Sequence, residues 1–405
     1  MNNSSFSFIQ INNIEIFKHI VLVLIKEEST FERLNYYFSR VTFNLFFRNY
    51  EAAAKNIQIR IQNNPKKPEL YFILGLIFII TNDLAKAEEN LKQAVKLNNK
   101  NELYNFWLGR VLLLKGEYEK ALIEFEKTLK LNPDMNESVN SLMGLCLCRL
   151  NKVKEAIKTL EEALNKKPQS STLLNNKGIC FLKMGKYKKA IECFKLALEY
   201  SPNDITLLLN IGLCFNKIEE HNKALQYYKK ALKKLPQDVD ILNNIGYCLI
   251  KLERFNEAID YINKGLTIDP ENNELLINKG SCLYNLGFFD EGIDIYKKIL
   301  LKNPNDAVSW NNQGLCYEKR KMYEKALDCY SNAITLQPEN VSFIINKGCC
   351  LLHTGRFEEA LETFDILLNN KNYDIKILKY KAICLEHLDQ HDKALECYNK
   401  VLGIK

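Results

Sequence analysis

From residue 68 onward, small, apolar and polar residues return to the same places every 34 residues. Glycines fall at 75, 109, 144, 178, 212, 246, 280, 314 and 348, with Ala382 continuing the series and one inserted residue between Gly109 and Gly144. A period of this length predicts a stack of helical pairs, each burying its apolar face against the next. With the glycine set at position 8, repeats begin at 68, 102, 137, 171, 205, 239, 273, 307, 341 and 375, the extra residue falling near 136. Position 20 is then Ala87, Ala121, Ala156, Ala190, Ala224, Ala258, Gly292, Ala326, Ala360 and Ala394. Two helices approach closely only where side chains are small, so positions 8 and 20 mark the crossing of helix A and helix B in each unit. Position 24 lies one turn beyond position 20 on the same face and is large: Leu91, Phe125, Leu160, Phe194, Tyr228, Ile262, Tyr296, Tyr330, Phe364 and Tyr398. Position 32 is proline from Pro133 through Pro168, Pro202, Pro236, Pro270 and Pro304 to Pro338, which stops helix B. The turn between the helices carries Gly116, Gly185, Gly287 and Gly355, suited to a helix C-cap.

Small residues at 8 and 20, a bulky apolar residue at 24 and proline at 32 resemble the tetratricopeptide repeat (TPR), and the resemblance covers residues 68–405. It implies an all-α fold, a right-handed α-solenoid of ten to eleven helix pairs with helix A lining the inner, concave face. An eroded unit occupies 34–67, keeping Ala53 and Pro65 but with Val41 at the glycine position. Residues 1–33 are read as a capping region: Ile16–Ile25 is apolar, but it is too short to span a bilayer, holds Lys18 and His19, and lacks a basic n-region and a cleavage site. The last unit, 375–405, stops one residue short of the proline position. Terminal repeats normally need a polar cap, so the face of Leu395, Tyr398 and Leu402 is either shielded by a partner or a second copy of the chain or simply tolerated.

Composition changes this picture little. The 405 residues are 47% hydrophobic and 26% charged, as befits an ordered helical protein, and the net charge of +7 comes from interspersed residues with no long like-charged block. Nucleic acid is thus not demanded, and Tyr247 and Tyr284 alone make a poor stacking platform for RNA. With no export signal visible, a cytoplasmic home and reduced thiols are expected.

Thirteen cysteines suggest chemistry. Eight of them, Cys146, Cys180, Cys214, Cys248, Cys282, Cys316, Cys350 and Cys384, occupy position 10, and Cys193, Cys329 and Cys397 share position 23. Position 10 lies on an apolar stripe with positions 3 and 14, so these thiols belong to the seam between repeats. Equivalent residues of adjacent A helices stand roughly 8–10 Å apart, outside the ~7 Å reach of a disulfide. Cys350-x-x-His353 and Cys384-x-x-His387 offer two cysteines and two histidines, but position 10 turns into the seam and position 13 toward the groove, so no metal site is expected. No cofactor is expected either. Gly185-Lys186 lacks the rest of a phosphate loop, and neither H-E-x-x-H nor G-x-S-x-G occurs, which leaves a non-enzymatic reading.

Position 6 is asparagine in six consecutive units: Asn176, Asn210, Asn244, Asn278, Asn312 and Asn346. Asparagine is a mediocre helix former, and the position lies off the packing faces, so its carboxamide is expected to point into the groove and pair with an extended peptide backbone. The row is similar to the asparagine ladder in the TPR arm of O-linked N-acetylglucosamine transferases, which implies a grip on substrate backbone; the glycosyltransferase domain itself is absent. Duplication of one ancestral repeat would copy the same row without function. Position 13 carries Arg149, Lys183, Lys217, Lys251, Asn285, Lys319, His353 and His387. Such a basic row would favour acidic or phosphorylated peptides, although lysine near a helix C-terminus also suits the macrodipole. The carboxylate clamp of chaperone-binding TPRs needs Lys at 5 and Asn at 9; only Lys379 stands at 5, and position 9 reads Ile179, Leu213, Tyr247, Ser281, Leu315 and Cys349. The chain is therefore read as a protein-interaction scaffold or adaptor binding a peptide or helix in its groove. The alternative is the substrate-selecting arm of a separate-chain enzyme such as a glycosyltransferase.

Overall fold

The computed structural model describes residues 49–369 and 375–402. The expected capping region and the first helix of unit 34–67 lie outside the described residues. Among the described residues the chain is all α-helical, apart from one short 3-10 turn at Pro133–Met135. It divides into two units at Ile218/Glu219.

The first unit holds α1 (Tyr50–Asn63), then the pairs α2 (Pro68–Ile80) with α3 (Leu84–Leu97), α4 (Glu102–Leu114) with α5 (Tyr118–Leu131), α6 (Asn136–Arg149) with α7 (Val153–Lys166) and α8 (Ser171–Lys183) with α9 (Tyr187–Tyr200), and finally α10 (Ile205–Lys217). The second begins with α11 (His221–Leu232). It continues with α12 (Val239–Lys251) and α13 (Phe255–Ile268), α14 (Asn273–Asn285) and α15 (Phe289–Lys302), α16 (Ala307–Lys319) and α17 (Tyr323–Leu336), α18 (Val341–His353) and α19 (Phe357–Asn369), and α20 (Ile375–His387) and α21 (His391–Leu402). Within each unit every helix packs on its chain neighbours, and successive A helices also touch, as α6 does α8 and α12 does α14.

The predicted crossing is present. A methyl group added to Gly178 would stand 2.5 Å from Phe194 Cε1, one on Gly280 2.5 Å from Tyr296 Cζ, and one on Gly144 2.9 Å from Leu160 Cδ2. Position 8 is thus glycine because the position-24 side chain of the partner helix occupies the space where a Cβ would be. Those side chains and the small position-20 residues are buried in every pair from Leu91 with Ala87 to Phe364 with Ala360, glycine taking the alanine's place at Gly292. The inserted residue near 136 is absorbed in the 3-10 turn that carries Pro133 into α6, so the packing register resumes unshifted.

Local chemistry starts and stops helix A. Position 34, two residues after the proline, caps helix A: Ser170, Asp204, Asp238, Asn272, Asp306 and Asn340 each accept a bond from a backbone N–H of the first turn. These caps satisfy donors that have no partner inside the helix. Helix A ends in a left-handed residue at position 15, and the next N–H reaches back five residues, as Lys186 N to Phe181 O and Met322 N to Tyr317 O, both 2.9 Å. Gly185 (φ +70°) and Gly287 (φ +86°) take this conformation freely, whereas Asn151, Glu253, Lys321 and Asp389 take it at φ between +57° and +63°. A lysine in this region is strained by its Cβ. Lys321→Gly should therefore stabilise the second unit by about 0.5–1 kcal/mol after allowing for the freer unfolded chain. Chemical denaturation of the two proteins checks this; a destabilised variant would mean that Lys321 makes compensating contacts.

Candidate functional site

The asparagine row falls on one face of the A helices, and its carboxamides are largely committed to the protein. Asn176 Nδ2 donates to Ser141 Oγ at 2.8 Å and Ser141 O at 3.1 Å. Asn210 donates to Asn175 Oδ1 at 3.2 Å, Asn278 to Asn243 Oδ1 at 2.7 Å and Asn346 to Asn311 Oδ1 at 2.8 Å. Every acceptor sits 35 residues earlier, at position 5 of the preceding repeat. The expectation that this asparagine serves no packing purpose is thus corrected: four of the six tie their A helix to the one before, within a single unit. Asn210 is also only 5% exposed, so its side chain is enclosed by this bond where an open groove position was expected.

Position 5 decides which asparagines are tied. It is Ser141, Asn175, Asn243 and Asn311 where a latch forms, and Leu209 and Ile277 before the two exceptions. Asn312 instead accepts from Asn311 Nδ2 at 3.2 Å. Asn244 has no hydrogen-bonding partner among the described residues. On α12 it leads into Tyr247, which is exposed, and Lys251, whose ammonium lies 5.5 Å from the Tyr247 ring centroid. His221 approaches the same ring edge-on at 6.3 Å. The latch was visible in the sequence as a polar 5/6 pair in consecutive repeats, a signal that reading position 6 alone misses.

The basic row is exposed at Arg149, Lys183, Lys217, Lys251 and Lys319. Lys183 additionally donates to the Cys148 carbonyl of the preceding repeat. In α6, α8 and α10, positions 2, 5, 6, 9, 12 and 13 share this face by helical spacing, and no acidic residue occurs among them. The second unit differs, with Asp240, Glu274, Glu318 and Glu386 on the corresponding positions. There His353 Nδ1 pairs with Glu318 Oε1 at 3.0 Å, and the His387 ring stacks on Phe357 at 4.2 Å between centroids.

Those two histidines are thus engaged away from Cys350 and Cys384, which are fully buried. Among the described residues no group of three or more His, Cys, Asp or Glu side chains could hold a metal ion. The position-10 thiols fill the seam as expected, and burial pushes those of Cys214, Cys282 and Cys316 up to about 12, leaving them protonated and unreactive at neutral pH. No described helix is long and apolar enough to cross a membrane. In α21, Leu395 and Leu402 are 59% and 69% exposed, while Tyr398 is partly covered and bonds Glu386.

Stacked pairs of short antiparallel helices, joined by a tight left-handed turn and crossing at a glycine, define a helical-repeat protein. Family models match accordingly: tetratricopeptide repeat models over residues 307–340, 45–102 and 81–136, and the model of the Psidin N-terminal TPR repeats region over 112–210 and 153–259. Together they span more than half of the chain, which belongs to the tetratricopeptide repeat family.

Among solved structures the chain is similar to yeast Tom70 at 15% identity, covering 96% of this chain and 92% of that one with a TM-score of 0.49. It is similar to the APC/C hetero-tetramer Cut9–Hcn1 at 14% identity, 93% and 100% coverage and a TM-score of 0.48. YrrB, described as a TPR protein with an unusual peptide-binding site, matches at 23% identity over 46% of this chain and 97% of its own, with a TM-score of 0.39. No curated protein matches.

Proposed function

We propose that the protein is a non-enzymatic cytoplasmic adaptor whose A-helix face holds an acidic segment of a partner protein. The observation that carries this reading is the stripe Arg149, Lys183 and Lys217: three exposed cations in consecutive repeats, on a face without a carboxylate. A row of like-charged side chains attracts and orients a complementary chain. Half-buried Leu142, Leu145 and Leu213 lie between the cations and offer apolar purchase to alternate side chains of such a segment. Of the asparagine row, Asn176, Asn278, Asn312 and Asn346 retain unused polar capacity for peptide backbone, since a carboxamide offers two N–H groups and an acceptor. Asn244 has its whole carboxamide available, next to Lys251. Asn210 contributes rigidity.

A labelled peptide of alternating glutamate and leucine, compared with its glutamine–leucine counterpart, tests the reading by fluorescence anisotropy. The acidic peptide is expected to bind at least about tenfold more tightly at low salt, with the difference shrinking as ionic strength rises and the Debye length falls. Equal binding of the two peptides would sink the charge-based reading.

A further inference from the structure

Helix spacing is expected to keep equivalent cysteines of neighbouring repeats too far apart to bond, but one pair is not in equivalent positions. Cys148 stands at position 12 on α6 and Cys180 at position 10 on α8, and their Sγ atoms are 2.8 Å apart. That is well inside ordinary contact between unbonded sulfurs, and closing it to a disulfide bond of about 2.05 Å needs less than about 1 Å of movement. The side chains are 5% and 1% exposed, Cys148 being the more accessible.

We propose that Cys148 and Cys180 form an oxidisable dithiol site, which a two-electron thiol oxidant such as hydrogen peroxide converts to a disulfide between adjacent repeats. In the first step the Cys148 thiolate attacks one peroxide oxygen; the O–O bond breaks and hydroxide leaves, giving a sulfenic acid. Next the Cys180 sulfur attacks the Cys148 sulfur, the S–O bond breaks, and the hydroxyl leaves as water. The two sulfurs together lose two electrons, and the peroxide becomes two molecules of water. Transient disulfides of this kind are the form that thiol pairs take in a reducing compartment.

The surroundings give the pair a direction. Cys148 accepts its thiolate charge more readily than an ordinary cysteine because Cys180 hydrogen-bonds to it, with Lys183 and Arg149 adding positive charge nearby. Cys180 is held in its thiol form by the same hydrogen bond and by burial. Cys148 is therefore the attacking sulfur and Cys180 the resolving one. The bond would join the two A helices that carry Arg149, one residue beyond Cys148, and Lys183, three beyond Cys180. Oxidation would thus fix the spacing of two cations on the exposed face, and the site itself stands whether or not that face binds acidic peptides.

The test uses the full chain, reduced, freed of reductant and exposed to hydrogen peroxide in native buffer, then digested without reduction for peptide mass spectrometry. The expected product is a cross-linked pair carrying Cys148 and Cys180, present in the parent chain and in Cys146→Ser, lost in Cys148→Ser and in Cys180→Ser. Amide hydrogen exchange in α6 and α8 should slow by about tenfold or more on oxidation and recover with dithiothreitol, since the cross-link restrains local opening. The parent chain alone is decisive if the variants fold poorly. Oxidation confined to the half-buried Cys193 and Cys349, or a cross-link that forms only in denaturant, overturns the proposal.

Discussion

Phe194→Ala is expected to destabilise the first unit by about 3–5 kcal/mol, the usual cost of emptying a fully buried aromatic site. The Phe194 ring is wholly buried and lies over Gly178, whose missing side chain is what lets α8 and α9 come together. Alanine would leave a cavity that neither helix can close without shifting the adjacent repeats. Phe194→Leu should cost less, about 1 kcal/mol, because leucine serves at this position opposite Gly75 and Gly144. In a repeat array, stability is a sum of repeat and interface terms. The loss should therefore appear as early unfolding of α8–α9, read by denaturant titration together with hydrogen exchange. A Phe194→Ala chain as stable as its parent would mean that the glycine–aromatic contact does not hold the pair.

The second large effect concerns association. Arg149→Glu, Lys183→Glu and Lys217→Glu combined should slow association of the glutamate–leucine peptide by about 10- to 1,000-fold at low salt, the range over which steering by a single-signed surface acts. The three residues span consecutive repeats of one unit and are exposed, so helicity should be kept; circular dichroism verifies it. Because Lys183 also bonds the Cys148 carbonyl, the triple glutamine variant serves as a control that removes charge without adding the opposite sign. Its loss should be smaller, and both losses should fade at high ionic strength. Unchanged association in the reversed chain would move the peptide site to another face, with Asn244, Tyr247 and Lys251 the first alternative.

Gly178, Ala190, Phe194 and Pro202 show how much of the architecture was legible. Their spacing alone gave the helix pair, its crossing point and its stop, because each property is set by the size or backbone freedom of one residue at one position. The caps at position 34 were equally present in the sequence, as an aspartate, asparagine or serine two residues after the proline, but were not picked out. Glu253 and Lys321 were not legible as turn residues. The left-handed conformation they adopt is imposed by the packing of the two helices and runs against their own preference.

The site divides along the same line. The asparagine row and the cations of position 13 were countable, since a helix of known register places residues of equal number on one face. Whether a carboxamide is offered to a ligand or spent on the neighbouring repeat does not follow from position 6 alone, because that depends on which residue 35 positions earlier stands opposite: Ser141 and Asn175 accept a hydrogen bond, and Ile277 offers no side-chain acceptor. The meeting of Cys148 with Cys180 has the same origin. What sequence determined about this protein is what the size of a residue at one position of the repeat fixes, the crossing and the stop of each helix pair; what only the tertiary structure decided is the backbone forced on the turn residues and the offset between repeats, which brings Cys148 at position 12 against Cys180 at position 10.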